Sequence, residues 1–227
     1  MARRPQTNPR KTASQKRSRA TVDALVEATA RVLVRQGYDG ASTNKIAAVA
    51  GVSIGSLYQY FPSKEALVAA VIERHTQQLS EVVRSALLNV GTRPIEAGMR
   101  ELVAAAIEAH RVDPKLHRVL AEEAPRTGRL ENIDAVERYA RGFFRDYLEA
   151  RRSEVDVADP DLAAFILVTT VEALAHSAVL HHRDILDGGK AQTFIDEVTR
   201  LALSYLRTPS PRARGRRPDA SGDAGRL

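Results

Sequence analysis

TNKIAAVAGVSIGSLYQYFPSKEAL, residues 43–67, holds two short helical patterns joined by Gly51. Each pattern spans about seven residues, too few for an isolated helix to persist in water. Both must therefore be held by packing. Thr43 is placed to cap the first, which buries Ile46, Ala47 and Ala50. Ala47, Ala48 and Ala50 are small, so a second helix can cross closely. Gly51 supplies a turn residue free to take positive φ. Ser53 is placed to cap the second helix, whose buried side is Val52 and Leu57. Pro62 ends it and Ser63 starts the next. Two short helices around a tight glycine turn form a helix-turn-helix pattern.

The exposed side of the second helix then carries Ser53, Ile54, Ser56 and Gln59. Gly55 and Ser56 are small enough to let the helix sit deep in a DNA major groove. Tyr58, Gln59 and Tyr60 are consecutive, so on a helix they cannot all face inward. Each phenol can donate to a phosphate while its ring packs on the unit, and Gln59 between them can reach a base edge. Lys64, at the start of the next helix, adds a cation where backbone N–H groups already favour an anion. Phe61 reads as core.

On these residues the segment resembles the DNA-binding domain of the tetracycline-repressor (TetR/AcrR) family of bacterial regulators. The likeness covers residues 17–75, and IGSLYQYFPSKEAL is its most specific part. It implies an all-α homodimer. A three-helix head that binds palindromic operators is joined by a long fourth helix to a C-terminal ligand-binding and dimerisation domain. It also implies roles by position. Thr43 matches the phosphate contact at the start of the second helix. Ser53, Gly55, Ser56, Tyr58, Gln59 and Tyr60 match the recognition helix, and Lys64 the fourth-helix phosphate contact. Ile54 stands where the family often has a polar or basic residue, so contact with a thymine methyl is its expected role.

Outward from this segment, nearly everything reads as helix. Val22, Leu25, Val26, Val32 and Leu33 form an apolar stripe that stops at Gly37, with Thr29 on the same face. A long helix of about 25 residues follows Ser63. Asp113-Pro114 and Asp159-Pro160 are caps followed by proline at the first helical position. The expected total is about nine helices, with no strand-like alternation. The chain has no cysteine, which removes disulfides, thiolate metal sites and thiol nucleophiles and fits a reducing, cytoplasmic setting.

Charge is uneven. Residues 1–20 hold seven Lys or Arg and no acid, and residues 207–227 hold six Arg against Asp219 and Asp223. The two ends carry +11 of a net +6, leaving −5 for residues 21–206. The expected division is a disordered basic arm (1–19), a DNA-binding head (20–78), a ligand-binding and dimerisation body (79–206) and a disordered basic tail (207–227). The arm is positioned to enter a minor groove or to add phosphate contacts. The apolar stretch 161–180 carries Asp161, Glu172 and His176 and reads as a buried soluble helix rather than a membrane span.

The body offers apolar and aromatic candidates for a small-molecule pocket: Met99, Val103, Ile107, His110, Leu120, Tyr139, Phe143, Phe144, Tyr147 and Leu167. A lipophilic effector suits such a lining. The expected dimer seam is the last two helices, through Phe165, Thr169 and Glu172 on one and Phe194, Val198, Leu201 and Tyr205 on the other. Glu172 and His176 lie one turn apart, with His181, His182 and Asp184 nearby. Their spacing matches no compact metal motif, so no metal ligand set and no cofactor is assigned. No nucleophile–base arrangement, phosphate loop or catalytic carboxylate pair occurs, so an enzyme is not expected. The reading is a ligand-responsive repressor that binds double-stranded DNA. The rivals are an architectural DNA-binding protein without effector, and a metal-responsive regulator.

Overall fold

The computed structural model of the chain describes residues 16–91, 93–123 and 130–208, without the side chains of 16–17 and 130–136. Most of the basic arm and the tail beyond residue 208 lie outside these residues. Nine α-helices are present among the described residues, with no strand. They are α1 (Lys16–Gly40), α2 (Thr43–Ala50), α3 (Ile54–Tyr60), α4 (Lys64–Val90), α5 (Ile95–Arg111), α6 (Pro114–Glu122), α7 (Leu130–Glu149), α8 (Pro160–Leu180) and α9 (Lys190–Arg207). The all-α expectation holds, and α4 is the longest element. Since α1 starts at Lys16, the last residues of the arm 1–19 are helical.

Local chemistry explains the short helices. Ser42, not Thr43, is the N-cap of α2: its extended backbone lets the hydroxyl accept from Lys45 N–H. Thr43 is the first helical residue, one position too late to cap. Gly51 closes α2 in the left-handed region at φ 69°, ψ 29°, and its N–H returns to the Ala47 and Ala48 carbonyls. Ser53 caps α3 by accepting from Ser56 N–H at 3.1 Å, and Ser63 caps α4 through Ala66 N–H. Asp113 and Asp159 cap α6 and α8, each followed by proline at the first helical position. On α1, Thr29 donates to the Leu25 carbonyl at 2.7 Å, which lets a hydroxyl sit on the buried face.

Two cores result. The head core joins Leu25, Val32, Leu33, Ile46, Leu57, Phe61, Leu67 and Val71 from α1–α4. It also takes Leu116, Val119 and Leu120 from α6, which packs against α1. The body core is built by α5, α7, α8 and α9 with the end of α4, around Val90, Met99, Val103, Ile107, Leu148, Leu167 and Leu206. Ion pairs Arg100–Asp196 and Arg207–Glu96 fasten α5 to α9. At the α4–α5 corner, Arg151 donates to the Gly91 and Arg93 carbonyls and lies 3.9 Å over the Tyr147 ring.

A second link joins head to body through α6. Gly37 interrupts α1 at φ 69°, ψ 178°, a conformation open almost only to glycine. The next amide, Tyr38 N–H, donates to the Glu123 carboxylate at 2.8 Å. A Cβ on Gly37 would lie 2.5 Å from that carboxylate oxygen. The head thus grips the C-terminal end of α6 by a backbone contact next to a residue whose positive φ disfavours any side chain.

Candidate nucleic-acid interface and body cavity

The outer face of α3 is short, polar and held from behind. Leu57 is fully buried and Val52 packs on the head core. Ile54, Gly55, Tyr58 and Gln59 are exposed and Ser56 is half-buried. Ser53 is exposed too, but its hydroxyl serves the cap and lies 2.9 Å from the Ser56 hydroxyl.

The two tyrosines separate in the structure. Tyr58 is 42% exposed, and its hydroxyl lies 3.1 Å from that of Thr43. This links the start of α2 to the end of α3 on the outer surface. Tyr60 packs on the head core, and its hydroxyl donates to Ser18 at 3.3 Å. Its phenol therefore faces the start of α1. Lys64 donates to the Tyr38 carbonyl at 3.0 Å and sits 4.0 Å over the Tyr38 ring. Lys45 on α2, a cation that the sequence reading did not single out, donates to Gln36 and to the Gly40 carbonyl. Both lysines are anchored to the C-terminal end of α1.

The body encloses a cavity of about 390 Å³ between α4, α5, α6, α7 and α8. Met99, His110, Leu120, Phe144 and Leu167 line it. Helical periodicity explains why other candidates do not. On α5 the lining positions are 99, 102, 105, 106, 109 and 110, while Val103 and Ile107 turn into the body core. Among the described side chains of α7 the lining positions are 137, 140 and 144, which leaves Tyr139 exposed on the other side. Tyr147 packs against Phe143 and Phe144, and its hydroxyl donates to the Arg93 and Pro94 carbonyls. Phe143 is partly buried against the body core instead.

One wall of the cavity is polar, and it gathers histidines from four helices. His75 (α4), His110 (α5), His117 (α6) and His176 (α8) all line it, with Glu172. His75 Nε2 lies 3.0 Å from His117 Nδ1, and His117 Nε2 lies 3.3 Å from His176 Nδ1. His110 Nδ1 is 2.8 Å from the Ala106 carbonyl, and its Nε2 is 3.7 Å from Glu172 Oε1. His75 is almost fully buried, and its Nδ1 has no hydrogen-bond partner. Burial pushes the His75 pKa down, against the pull of Asp113. The His110 ring holds the Glu172 carboxyl below its usual range.

This cluster is not the His176–His181–His182–Asp184 group that proximity in sequence suggests. His181 and His182 are exposed beyond the end of α8. His75 and His117 were missed because they are distant in sequence. The available signal was that His75 continues the apolar stripe of Val68, Val71 and Ile72.

Of the seam candidates, Phe165, Thr169, Glu172, Leu201 and Tyr205 are exposed. Val198 is buried within the chain and Phe194 is partly covered by the body core. α8 is long and apolar enough to cross a membrane by length and composition, yet it packs among α5, α7 and α9. Only 33% of its apolar window is buried within the chain.

Comparison with known proteins follows the same division. Residues 25–71 match a family described as bacterial regulatory proteins, tetR family, and residues 94–206 match the tetracyclin repressor-like C-terminal domain. The HTH-type transcriptional repressor DhaR of Mycobacterium sp. strain GP1 is 26% identical over 171 residues, 72% of this chain and 85% of DhaR. The HTH-type transcriptional activator FasR of Mycolicibacterium smegmatis is 40% identical over 85 residues, 37% of this chain and only 36% of FasR. Among solved structures, the transcriptional regulator FadR of Bacillus subtilis in complex with stearoyl-CoA superposes with a TM-score of 0.62 at 16% identity. That match covers 82% of this chain and 99% of FadR, and at this identity it concerns the fold alone.

Proposed function

The chain belongs to the tetR family of bacterial regulatory proteins and is a helix-turn-helix transcriptional regulator; on that premise we propose a cytoplasmic repressor that binds a palindromic operator as a homodimer and is released by a lipophilic small molecule. One observation carries the ligand response. Ile72 and Leu120 belong to the head core and also line the body cavity. A molecule that fills the cavity pushes on side chains that hold the DNA-binding head.

The mechanism is a coupled equilibrium. Palindromic operators require the two recognition helices to lie about one DNA turn apart, on the order of 34–36 Å. An effector that fits the cavity better in another arrangement of α4 and α6 changes that separation. Its leverage equals its difference in affinity for the two arrangements. The cavity volume lies within the range of about 300–1,000 Å³ usual for small-molecule sites. Its walls are mostly apolar, and FadR of similar fold is described with stearoyl-CoA. Long acyl chains are therefore the first effector class to test.

On α3, Tyr58 is assigned to a phosphate, Gln59 to a base edge and Ile54 to a thymine methyl, with Gly55 and Ser56 allowing close approach. Thr43 joins the phosphate contact through Tyr58. Homodimerisation is assigned to the uncovered apolar surface of α8 and α9 around Phe165, Leu201 and Tyr205.

The test starts with selection of bound DNA from a random pool. A palindromic sequence protected by a dimer supports the reading; salt-sensitive binding without sequence preference sinks it. Acyl-CoA esters of increasing length are then titrated against the bound operator. Substituting Gln59→Ala is expected to relax preference at one base position, losing about 1–3 kcal/mol of discrimination there.

A further inference from the structure

The histidine wall of the cavity has the geometry of a ligand set. His110, His117 and His176 each present a ring nitrogen, and the three nitrogens lie within 4.8 Å of one another. Bonds of about 2.0–2.1 Å in a tetrahedral zinc site put neighbouring nitrogens roughly 3.3–3.4 Å apart. The 3.3 Å separation of His117 Nε2 from His176 Nδ1 already forms one such edge. The His110 nitrogen lies within 4.8 Å of the other two.

The surrounding hydrogen bonds aim these nitrogens. The Ala106 carbonyl can only accept, so the 2.8 Å contact places an N–H of His110 on Nδ1, and in the neutral ring Nε2 is a lone pair turned toward Glu172. That lone pair faces the Glu172 carboxylate across 3.7 Å. Either a proton on Nε2 or a metal ion in its place joins the two groups. His75 stands behind His117 at 3.0 Å, bonded to the ring nitrogen opposite the one that meets His176. A carbonyl or a second side chain behind a ligating imidazole fixes its tautomer and raises its basicity, the usual backing of a metal ligand.

We infer that His110, His117 and His176, with Glu172 as fourth ligand, bind a divalent transition ion of the zinc class at the junction of head and body. The donors are three imidazoles and one carboxylate, with no thiolate available in the chain. Such a set suits zinc, cobalt(II), nickel(II) or copper(II) rather than magnesium or calcium, which prefer all-oxygen shells. His75 acts as a positioning residue for His117.

The location gives the ion leverage. His117 sits on α6 between Leu116, Val119 and Leu120, which pack in the head core, while His110 and His176 belong to the body. Binding fixes α6 relative to α5 and α8, and with it the Glu123 grip on Tyr38. The consequence for DNA rests on the regulator reading above; the ion site does not.

The test uses the full chain, with any affinity tag removed, dialysed against chelator and titrated with zinc and then cobalt(II). One equivalent per chain is expected, with the strong visible absorption of four-coordinate cobalt. X-ray absorption at the zinc edge of the wild-type chain should show a nitrogen and oxygen shell at about 2.0 Å with imidazole scattering. His117→Gln and His176→Gln should each weaken binding by about 100-fold or more, and His75→Gln by about 10–100-fold. The exposed His182→Ala should bind as the wild type does. Metal-free melting curves of each variant check folding, and the absorption spectrum of the wild type stands whether or not the variants fold. Sub-stoichiometric uptake, a six-coordinate oxygen shell, or affinity indifferent to His117 and His176 overturns the inference. Operator binding by fluorescence anisotropy runs in parallel. A chain that binds its operator but no metal loses this inference and keeps the regulator reading. One that binds a single zinc but no specific DNA does the reverse.

Discussion

The head and the body solve opposite packing problems with the same helical material. The head builds α2 and α3 from fifteen residues and leaves no gap behind them: Ile46, Leu57 and Phe61 are essentially inaccessible. The body has longer helices and encloses a void. Short helices contribute little stability of their own, so the head depends on packing and caps. Longer helices carry more of their own hydrogen bonding, so the body can leave space between them. The difference is what a sensor needs: a rigid reading surface and a compliant compartment that share the residues Ile72 and Leu120.

The largest expected effect probes the rigid side. Leu57→Ala removes the one fully buried side chain of α3. It should cost about 2–5 kcal/mol, read in urea denaturation, and abolish operator binding with it. The same chemical change then separates the two regions. Ala47→Leu adds bulk where α2 crosses α3 and should destabilise by about 1–3 kcal/mol. Ala105→Leu adds the same atoms to the cavity wall and should leave stability within about 0.5 kcal/mol while weakening binding of the proposed acyl effector. Equal losses from the two variants would remove the distinction between a packed head and a compliant body.

Gly37→Ala strikes the link between them. It forces a side chain into φ 69°, ψ 178° and into the Glu123 carboxylate. A loss of about 1–3 kcal/mol is expected from the backbone strain. Effector-induced release should weaken as well, because α6 no longer docks on the end of α1. A variant that loses stability but keeps full effector response would show that α4 alone carries the signal.

The same contrast governs what could be read from the sequence. The head was legible because its determinants are local: Gly51, Ser53 and Ser63 lie within a few residues of the backbone they shape. Even the error there was one residue wide, with Ser42 capping where Thr43 was expected. The body's helices and their starts were legible for the same reason, since Asp113-Pro114 and Asp159-Pro160 act on the next turn. Which face of a helix meets a cavity depends on partners far away in sequence. Val103 and Ile107 share a stripe with Met99 yet turn from the void, and Tyr139 lies on the wrong face of α7. The histidine wall is the extreme case. Its outermost members, His75 and His176, lie 101 residues apart, and the four meet only because α4, α5, α6 and α8 converge.

The smallest effects sharpen the comparison within the head itself. Tyr58 and Tyr60 look equivalent in the sequence, two phenols flanking Gln59. In the structure Tyr58 stands outside with its hydroxyl against Thr43, whereas Tyr60 lies on the head core with its hydroxyl against Ser18. Tyr58→Phe should therefore lower operator affinity by about 0.5–1.5 kcal/mol, the ordinary worth of one hydrogen bond, with little change in stability because the bond to Thr43 that it loses is solvent-exposed. Tyr60→Phe should instead show its effect first in the melting temperature of the free protein, since it loses a bond inside the head. A phosphate contact by Tyr60 requires its hydroxyl to leave Ser18 when DNA binds. Anisotropy titrations of both variants on one operator decide the matter, because equal losses of affinity at unchanged stability would place both phenols on the DNA.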